Sequence, residues 1–140
     1  MPARLEIAIA CDLARLDLIQ AEIGAFARRH GLPGKITHAL ELVAEEVISN
    51  IIRHGFPPES IDARIRCVAE ISANRVELAF IDNGAPFDPL TAAPAPDLCS
   101  SLEEREVGGL GVHLIKSIAD AHNYARVDGE NRLKVSWRRE

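Results

Sequence analysis

The chain has 140 residues, enough for one domain with one core, and its 47% apolar and 26% charged content is a globular balance that excludes wholesale disorder. A formal net charge of −5 and only 4% aromatic residues argue against nucleic acid as a direct partner, which needs a clustered basic face or a stacking surface. No apolar run reaches the roughly 18 residues of a membrane span, and residues 1–10 lack the long apolar core of a signal peptide.

Leu5, Ile7 and Ile9 alternate with Arg4, Glu6 and Ala8, which predicts a first, half-buried strand. Asp12 is placed to cap a helix reaching residue 29, with Leu13, Leu16, Ile19, Ile23 and Phe26 on its apolar stripe. His30-Gly31 stops that helix, and a Pro33-Gly34 turn leads into a second one over residues 35–53. Its stripe is Ile36, Leu40, Val43, Val47 and Ile51, and Gly55-Phe56-Pro57-Pro58 ends it because proline cannot continue the backbone ladder. Strands over 63–71 and 75–82, joined at Ala73-Asn74, predict an antiparallel hairpin.

Residues 83–108 then carry four prolines (Pro86, Pro89, Pro94 and Pro96) and the run Glu103-Glu104-Arg105-Glu106. A connection of that length inside a compact domain is a functional lid or a disordered segment. A third helix fits residues 109–121, with Leu110, Leu114, Ile115 and Ile118 inward. A closing hairpin joins 124–127 to 133–137 around Gly129-Glu130-Asn131. This order predicts a single α/β domain over residues 1–140, a two-layer sandwich with a mixed, mostly antiparallel sheet and helices on one face. Cys11, Cys67 and Cys99 are far apart and odd in number, which predicts free thiols in a reducing cytoplasm.

Three places interrupt the apolar pattern. On the second helix Glu46 and Asn50 are spaced i and i+4 and stack beside the buried stripe, while Glu45 points to solvent. Such a pair is either a solvated helix edge closed by its own Glu/Asn hydrogen bond or a carboxylate and an amide meeting a ligand at the rim of the core. Asp82-Asn83-Gly84-Ala85-Pro86 follows an apolar strand. Ordinary turn chemistry accounts for it, and so does a carboxylate held at the sheet's edge to accept from an exocyclic amine, with Gly84 letting the backbone approach a flat ligand. Gly108-Gly109-Leu110-Gly111 opens the third helix with no Lys-Ser/Thr pair after it and no strand before it, so it is neither a P-loop nor a dinucleotide fingerprint. Backbone N–H groups freed of side chains at a helix N-terminus still suit a phosphate chain.

Together and in this order, the three sites resemble the nucleotide-binding boxes of the GHKL ATPase/kinase superfamily. Glu46-x-x-x-Asn50 is similar to the N box, Asp82-x-Gly84-x-Pro86 to the first glycine box and Gly109-Leu110-Gly111 to the second. The stretches EVISNIIRHGF and GGLGVHLI are most similar to the bacterial anti-sigma factor serine kinases. The resemblance implies the Bergerat ATP-binding fold, with residues 83–108 as the ATP lid. It implies that Asp82 accepts the adenine amino group with Gly84 and Pro86 beside it, and that Asn50 coordinates Mg²⁺. Gly108, Gly109 and Gly111 would wrap the phosphates of ATP, and Arg105 is a candidate partner for the terminal one. Glu46 would be the general base toward a serine hydroxyl.

The activity implied is that of a cytoplasmic protein serine kinase and anti-sigma factor. It would phosphorylate a STAS-type anti-anti-sigma protein, sequester a sigma factor and act as a homodimer. The alternatives are a nucleotide-binding switch that sequesters its partner without phosphotransfer, a sensor histidine kinase domain and a free-standing ATPase. A sensor kinase needs a preceding helical hairpin with a phospho-accepting histidine, and the strand at Leu5 begins almost at the N-terminus. His54 and His113, close to the boxes, are expected to be structural.

Overall fold

The computed structural model describes residues 2–56, 62–86 and 118–139. Strand β1 (Ala3–Ile9) is followed by helix α1 (Leu16–Arg29), helix α2 (Gly34–His54), strands β2 (Ile65–Ile71) and β3 (Arg75–Asp82), and strands β4 (Ala121–Val127) and β5 (Glu130–Arg138). The strands form one sheet in the order β1-β2-β3-β5-β4. Where a mixed, mostly antiparallel sheet is expected, every pair among the described residues is antiparallel. Residues 87–108 of the expected lid and 109–117 of the expected third helix lie outside the described residues.

The period-2 pattern of the strands makes the sheet two-sided. Ile65, Cys67, Ala69 and Ile71 of β2, Val76, Leu78 and Phe80 of β3, and Leu133, Val135 and Trp137 of β5 are buried. They share one core with Ile19, Ile23, Phe26 and Ala27 of α1 and with Leu40, Val43, Ala44, Val47, Ile48 and Ile51 of α2. Burial of each such side chain contributes about 1.5–3 kcal/mol, so this layer of helices on sheet carries the fold. On the opposite face Glu6 of β1 accepts from Arg4 at 3.0 Å and pairs with Arg66 of β2 at 3.6 Å.

Local signals explain the element ends. Asp12 Oδ1 accepts from the Ala14 N–H at 3.0 Å, so Asp12 caps a short 3-10 turn, Leu13–Arg15, that runs into α1. Gly55 closes α2 with its N–H on the Ile51 carbonyl at 2.8 Å.

Two expectations need correction at the C-terminal end. Residues 120 and 121 do not continue a helix. The Asp120 N–H donates to the Ser136 carbonyl at 3.0 Å, its Oδ2 accepts from the Arg138 N–H at 2.6 Å, and Ala121 already starts β4. The closing turn is Asp128-Gly129, with positive φ of 51° and 79°, the twist a two-residue hairpin requires. Asn131, expected in the turn, therefore sits in β5, directly opposite Asp82 of β3 on one side and Arg126 of β4 on the other.

Candidate functional site

The site is built where the C-terminal half of α2 meets the ends of β3 and β5. Asn50 is 1% exposed, and Glu46, one turn earlier, is half-buried, while Glu45 is exposed as its helical angle demands. Glu46 Oε2 and Asn50 Nδ2 are both buried and make no hydrogen bond. Of the five such side-chain atoms among the described residues, these two occupy successive turns of one helix. A helix edge closed by its own Glu/Asn hydrogen bond is thus not what this pair forms. Each unmet polar atom costs about 1–3 kcal/mol, a cost that a ligand accepting from one and donating to the other would remove. Burial, with Glu45 adding, pushes the Glu46 carboxyl above its ordinary pKa, and Arg53 partly opposes the shift. A raised pKa suits a proton acceptor.

Asp82 ends β3 and is 2% exposed. Its Oδ1 accepts from the Gly84 N–H and from Asn131 Nδ2, both at 2.9 Å, whereas Oδ2 takes no hydrogen bond among the described residues. Desolvation raises the Asp82 pKa. The Asn131 and Gly84 hydrogen bonds and Arg126 pull against that rise, and Glu130 adds to it. Asn131 Nδ2 also donates to the Ala85 carbonyl at 2.8 Å, and its Oδ1 accepts from the Tyr124 hydroxyl. Arg126 Nη1 donates to the Gly84 carbonyl at 2.7 Å. Asn83 ties the same turn to the chain before β2: its Oδ1 accepts from the Arg64 N–H at 2.7 Å and its Nδ2 donates to the Asp62 carbonyl at 2.8 Å. Every residue from 82 to 85 is thus pinned by at least one hydrogen bond, unlike an ordinary surface turn.

A Cβ at Gly84 would stand 2.4 Å from the Gly55 carbonyl oxygen and 3.0 Å from Asp82 Oδ1. The glycine lets the turn press against the end of α2, a packing requirement that stands beside the expected approach of a flat ligand. The same contact sets the Asp82 turn against the C-terminal end of the helix that carries Glu46 and Asn50. Pro86 is exposed at the edge of the described residues. Arg105, Gly108, Gly109, Gly111 and His113 lie outside them, and His54 is exposed at the end of α2.

Sequence reasoning missed Asn131, Tyr124 and Arg126. The signal for part of this is the Asp128-Gly129 dipeptide, which fixes the β4–β5 register and so puts residue 126 opposite residue 131; the pairing of residue 131 with residue 82 comes from β5 docking on β3, which no turn dipeptide sets.

The donor set fits Mg²⁺ with a nucleotide. The Asn50 Nδ2 has no hydrogen-bond partner among the described residues, so its NH₂ can donate to a phosphate oxygen, and an amide oxygen is a suitable ligand for a hard cation. No group of three His, Cys, Asp or Glu that could hold a metal occurs among the described residues, and magnesium that keeps waters and phosphates as most of its ligands needs none. Asp82 Oδ2, which takes no hydrogen bond among the described residues, has the chemistry to accept from an exocyclic amino group.

Comparison with known proteins follows this geometry. A family model described as a histidine kinase-like ATPase domain matches residues 9–137. The serine/threonine-protein kinase BtrW of Bordetella bronchiseptica is 34% identical over 110 residues, 79% of this chain and 76% of that protein. The serine-protein kinase RsbW of Listeria monocytogenes is 30% identical over 123 residues, 86% and 73% of the two chains. RsbW of Bacillus cereus is 25% identical over 120 residues, 84% and 74%.

Proposed function

The chain belongs to the histidine kinase-like ATPase domain family, and from that premise we propose that it is an ATP-dependent protein serine kinase of the anti-sigma factor type. The kinase names of its relatives support this reading. The observation that carries it is the Glu46–Asn50 pair, in which the buried Glu46 Oε2 and Asn50 Nδ2 have no hydrogen-bond partner among the described residues, on the helix whose end abuts the Asp82 turn.

In the reaction, Asp82 Oδ2 accepts a hydrogen bond from the adenine amino group and sets the depth of the nucleotide. The Asn50 amide would hold Mg²⁺ beside the phosphate chain, and when bound that ion would supply positive charge to offset the negative charge of the phosphates. Glu46 accepts the proton of the incoming serine hydroxyl as that oxygen bonds to the terminal phosphorus and the bond to the bridging oxygen of ADP breaks. Its raised pKa makes it a stronger base than an exposed glutamate. By the same reading residues 83–108 would serve as the lid, and Arg105, Gly108, Gly109 and Gly111, which lie outside the described residues, would be the groups that bind the phosphates of ATP.

The acceptor is a serine on a STAS-type anti-anti-sigma protein, the sequestered partner is a sigma factor, and the working form is a cytoplasmic homodimer. No helix among the described residues is long and apolar enough to cross a membrane.

The test is calorimetric titration of Mg-ATP into wild type, Asp82→Asn and Asn50→Ala, followed by phosphotransfer to a STAS protein by wild type and Glu46→Gln. Binding by wild type alone, with phosphotransfer lost in a Glu46→Gln variant that still binds, supports the reading. A folded wild type that binds no nucleotide overturns it. Full phosphotransfer by Glu46→Gln removes the general-base role.

A further inference from the structure

Asn131 is 2% exposed, and both of its amide hydrogens are committed, one to Asp82 Oδ1 and one to the Ala85 carbonyl. The amide orientation follows from its neighbours. A carboxylate and a carbonyl can only accept, so the NH₂ end must face them, and the oxygen end must face the Tyr124 hydroxyl. With no hydrogen left to donate, Asn131 cannot recognise a base through its NH₂, and its effect on a ligand passes through Asp82. The hydrogen bonds from Gly84 and Asn131 both end on Oδ1, which fixes the rotation of the carboxylate and leaves Oδ2 as the oxygen for the ligand.

The support extends one strand further. Tyr124 and Arg126 stand on β4, the edge of the sheet. Tyr124 holds the amide and Arg126 holds the Gly84 carbonyl, so the edge strand braces both ends of the turn that carries Asp82.

We propose that Asn131 is a positioning residue for adenine recognition, orienting the Asp82 carboxylate through its hydrogen bond to Oδ1, with Tyr124 fixing Asn131 in turn. This rests on the reading that the site binds ATP. The groups around Asp82 are Arg126 on β4, Glu130 and Asn131 on β5, Ile65 opposite it on β2 and the Gly55 carbonyl at the end of α2. Of the first three, only Asn131 and Arg126 favour the charged carboxylate.

The experiment measures the Kd of Mg-ATP and Mg-GTP from acid to neutral pH for wild type, Asn131→Ala and Tyr124→Phe, with a thermal melt of each to verify folding. Adenine presents an N–H to Oδ2, whereas guanine presents a carbonyl oxygen at the equivalent ring position, so a carboxylate free to rotate or protonate discriminates less. In Asn131→Ala the ATP Kd should rise about tenfold, the value of one charge-assisted hydrogen bond. The acid limb of binding should move to higher pH, and the preference for ATP over GTP should shrink. Tyr124→Phe, which leaves the ring in place, should move all three readouts the same way by less. A purely structural role would lower the melting temperature and leave the acid limb where it is. Folded Asn131→Ala with wild-type affinity, or with weaker affinity and an unmoved acid limb, overturns the proposal alone. Wild type that binds no ATP overturns the functional reading, and this proposal with it.

Discussion

Two asparagines at the site should respond to the same substitution with opposite signs. Asn50 is buried with an unbonded Nδ2, and Asn131 is buried with its NH₂ and its oxygen bonded. Replacing Asn50 by leucine, close to it in volume, removes an unmet polar group worth about 1–3 kcal/mol of destabilisation and adds apolar surface beside Val47 and Ile51. Allowing for imperfect packing, the ligand-free protein should gain about 1 kcal/mol. Replacing Asn131 by leucine takes a charge-assisted bond from Asp82, about 1.5–3 kcal/mol, and strands the Ala85 carbonyl and the Tyr124 hydroxyl at about 1 kcal/mol each. Apolar burial returns part of this, for a net loss of about 3 kcal/mol. For a chain of this length each kcal/mol moves the melting temperature by about 3–4 °C. Calorimetric melts without nucleotide should therefore show Asn50→Leu a few degrees above wild type and Asn131→Leu about 10 °C below it. Titration should show that the stabilised Asn50→Leu no longer binds Mg-ATP. A marked fall in melting temperature for Asn50→Leu would refute the reasoning, because the amide would then have a structural partner and its burial would say nothing of a ligand.

Three further outcomes follow from the same residues. The folded-state pKa of Asp82 is raised, so its ionisation opposes folding at neutral pH, and that penalty fades as pH falls through the folded pKa. The stability of wild type relative to Asp82→Asn, measured by denaturant unfolding, should therefore improve on acidification while Mg-ATP affinity declines over the same range. Gly84→Ala would bring a methyl group within 2.4 Å of the Gly55 carbonyl, and the backbone shift should cost about 1–3 kcal/mol in a thermal melt; Gly34→Ala, with nothing within 4 Å, should not destabilise. The Cys67 thiol, 1% exposed and pushed up to about 12 by burial, should resist alkylation in the native protein at pH 8, whereas exposed Cys11 is modified, as peptide mass analysis would report.

Periodicity made most of the fold legible. The stripe of α2 and the alternation of β1, β2 and β3 are read within one or two residues of their observed ends, whereas α1 begins three residues after the start that its Asp12 cap implies, the residues between forming the 3-10 turn. The C-terminal hairpin was read less well, because Gly129-Glu130-Asn131 looks like turn composition, yet the positive φ values fall on Asp128 and Gly129. That displacement hid Asn131 as a site residue, since its role depends on which residue of β3 it faces. Glu46, Asn50 and Asp82 could be singled out because each interrupts an apolar pattern at a spacing with a chemical meaning. Whether they are paired or unpaired is a property of the packing, and sequence spacing alone admits both. The purpose of Gly84 was likewise invisible, because Gly55 is nearly thirty positions away in the chain and meets it only once α2 lies across β3.

The register also explains why this end of the sheet can hold a ligand. One row of directly opposed residues crosses all five strands: Ile9, Ile65, Asp82, Asn131 and Arg126. Opposed residues project to the same face, so this row lies on the core side of the sheet. It changes from apolar to polar at β3, with Ile9 and Ile65 buried in the core and Arg126 exposed at the edge strand. Asp82 sits at the changeover. On its β2 side it borders a dry core whose burial raises its pKa, and on its β5 side it borders an amide and a guanidinium that oppose the rise. A carboxylate deeper in the core would be neutral and could donate as well as accept. One at the rim would be solvated and would discriminate weakly between ligands. The position between the two gives an acceptor-only group in a low-dielectric setting, which is what selecting an amino group over a carbonyl requires. Moving the changeover one strand inward tests this directly. In Ile65→Asn, if the protein folds, Asp82 gains a polar neighbour on its dry side, so the acid limb of ATP binding should fall to lower pH and the discrimination against GTP should weaken. Unchanged discrimination with a shifted acid limb would mean that the rotation of the carboxylate, and not its desolvation, sets the selectivity.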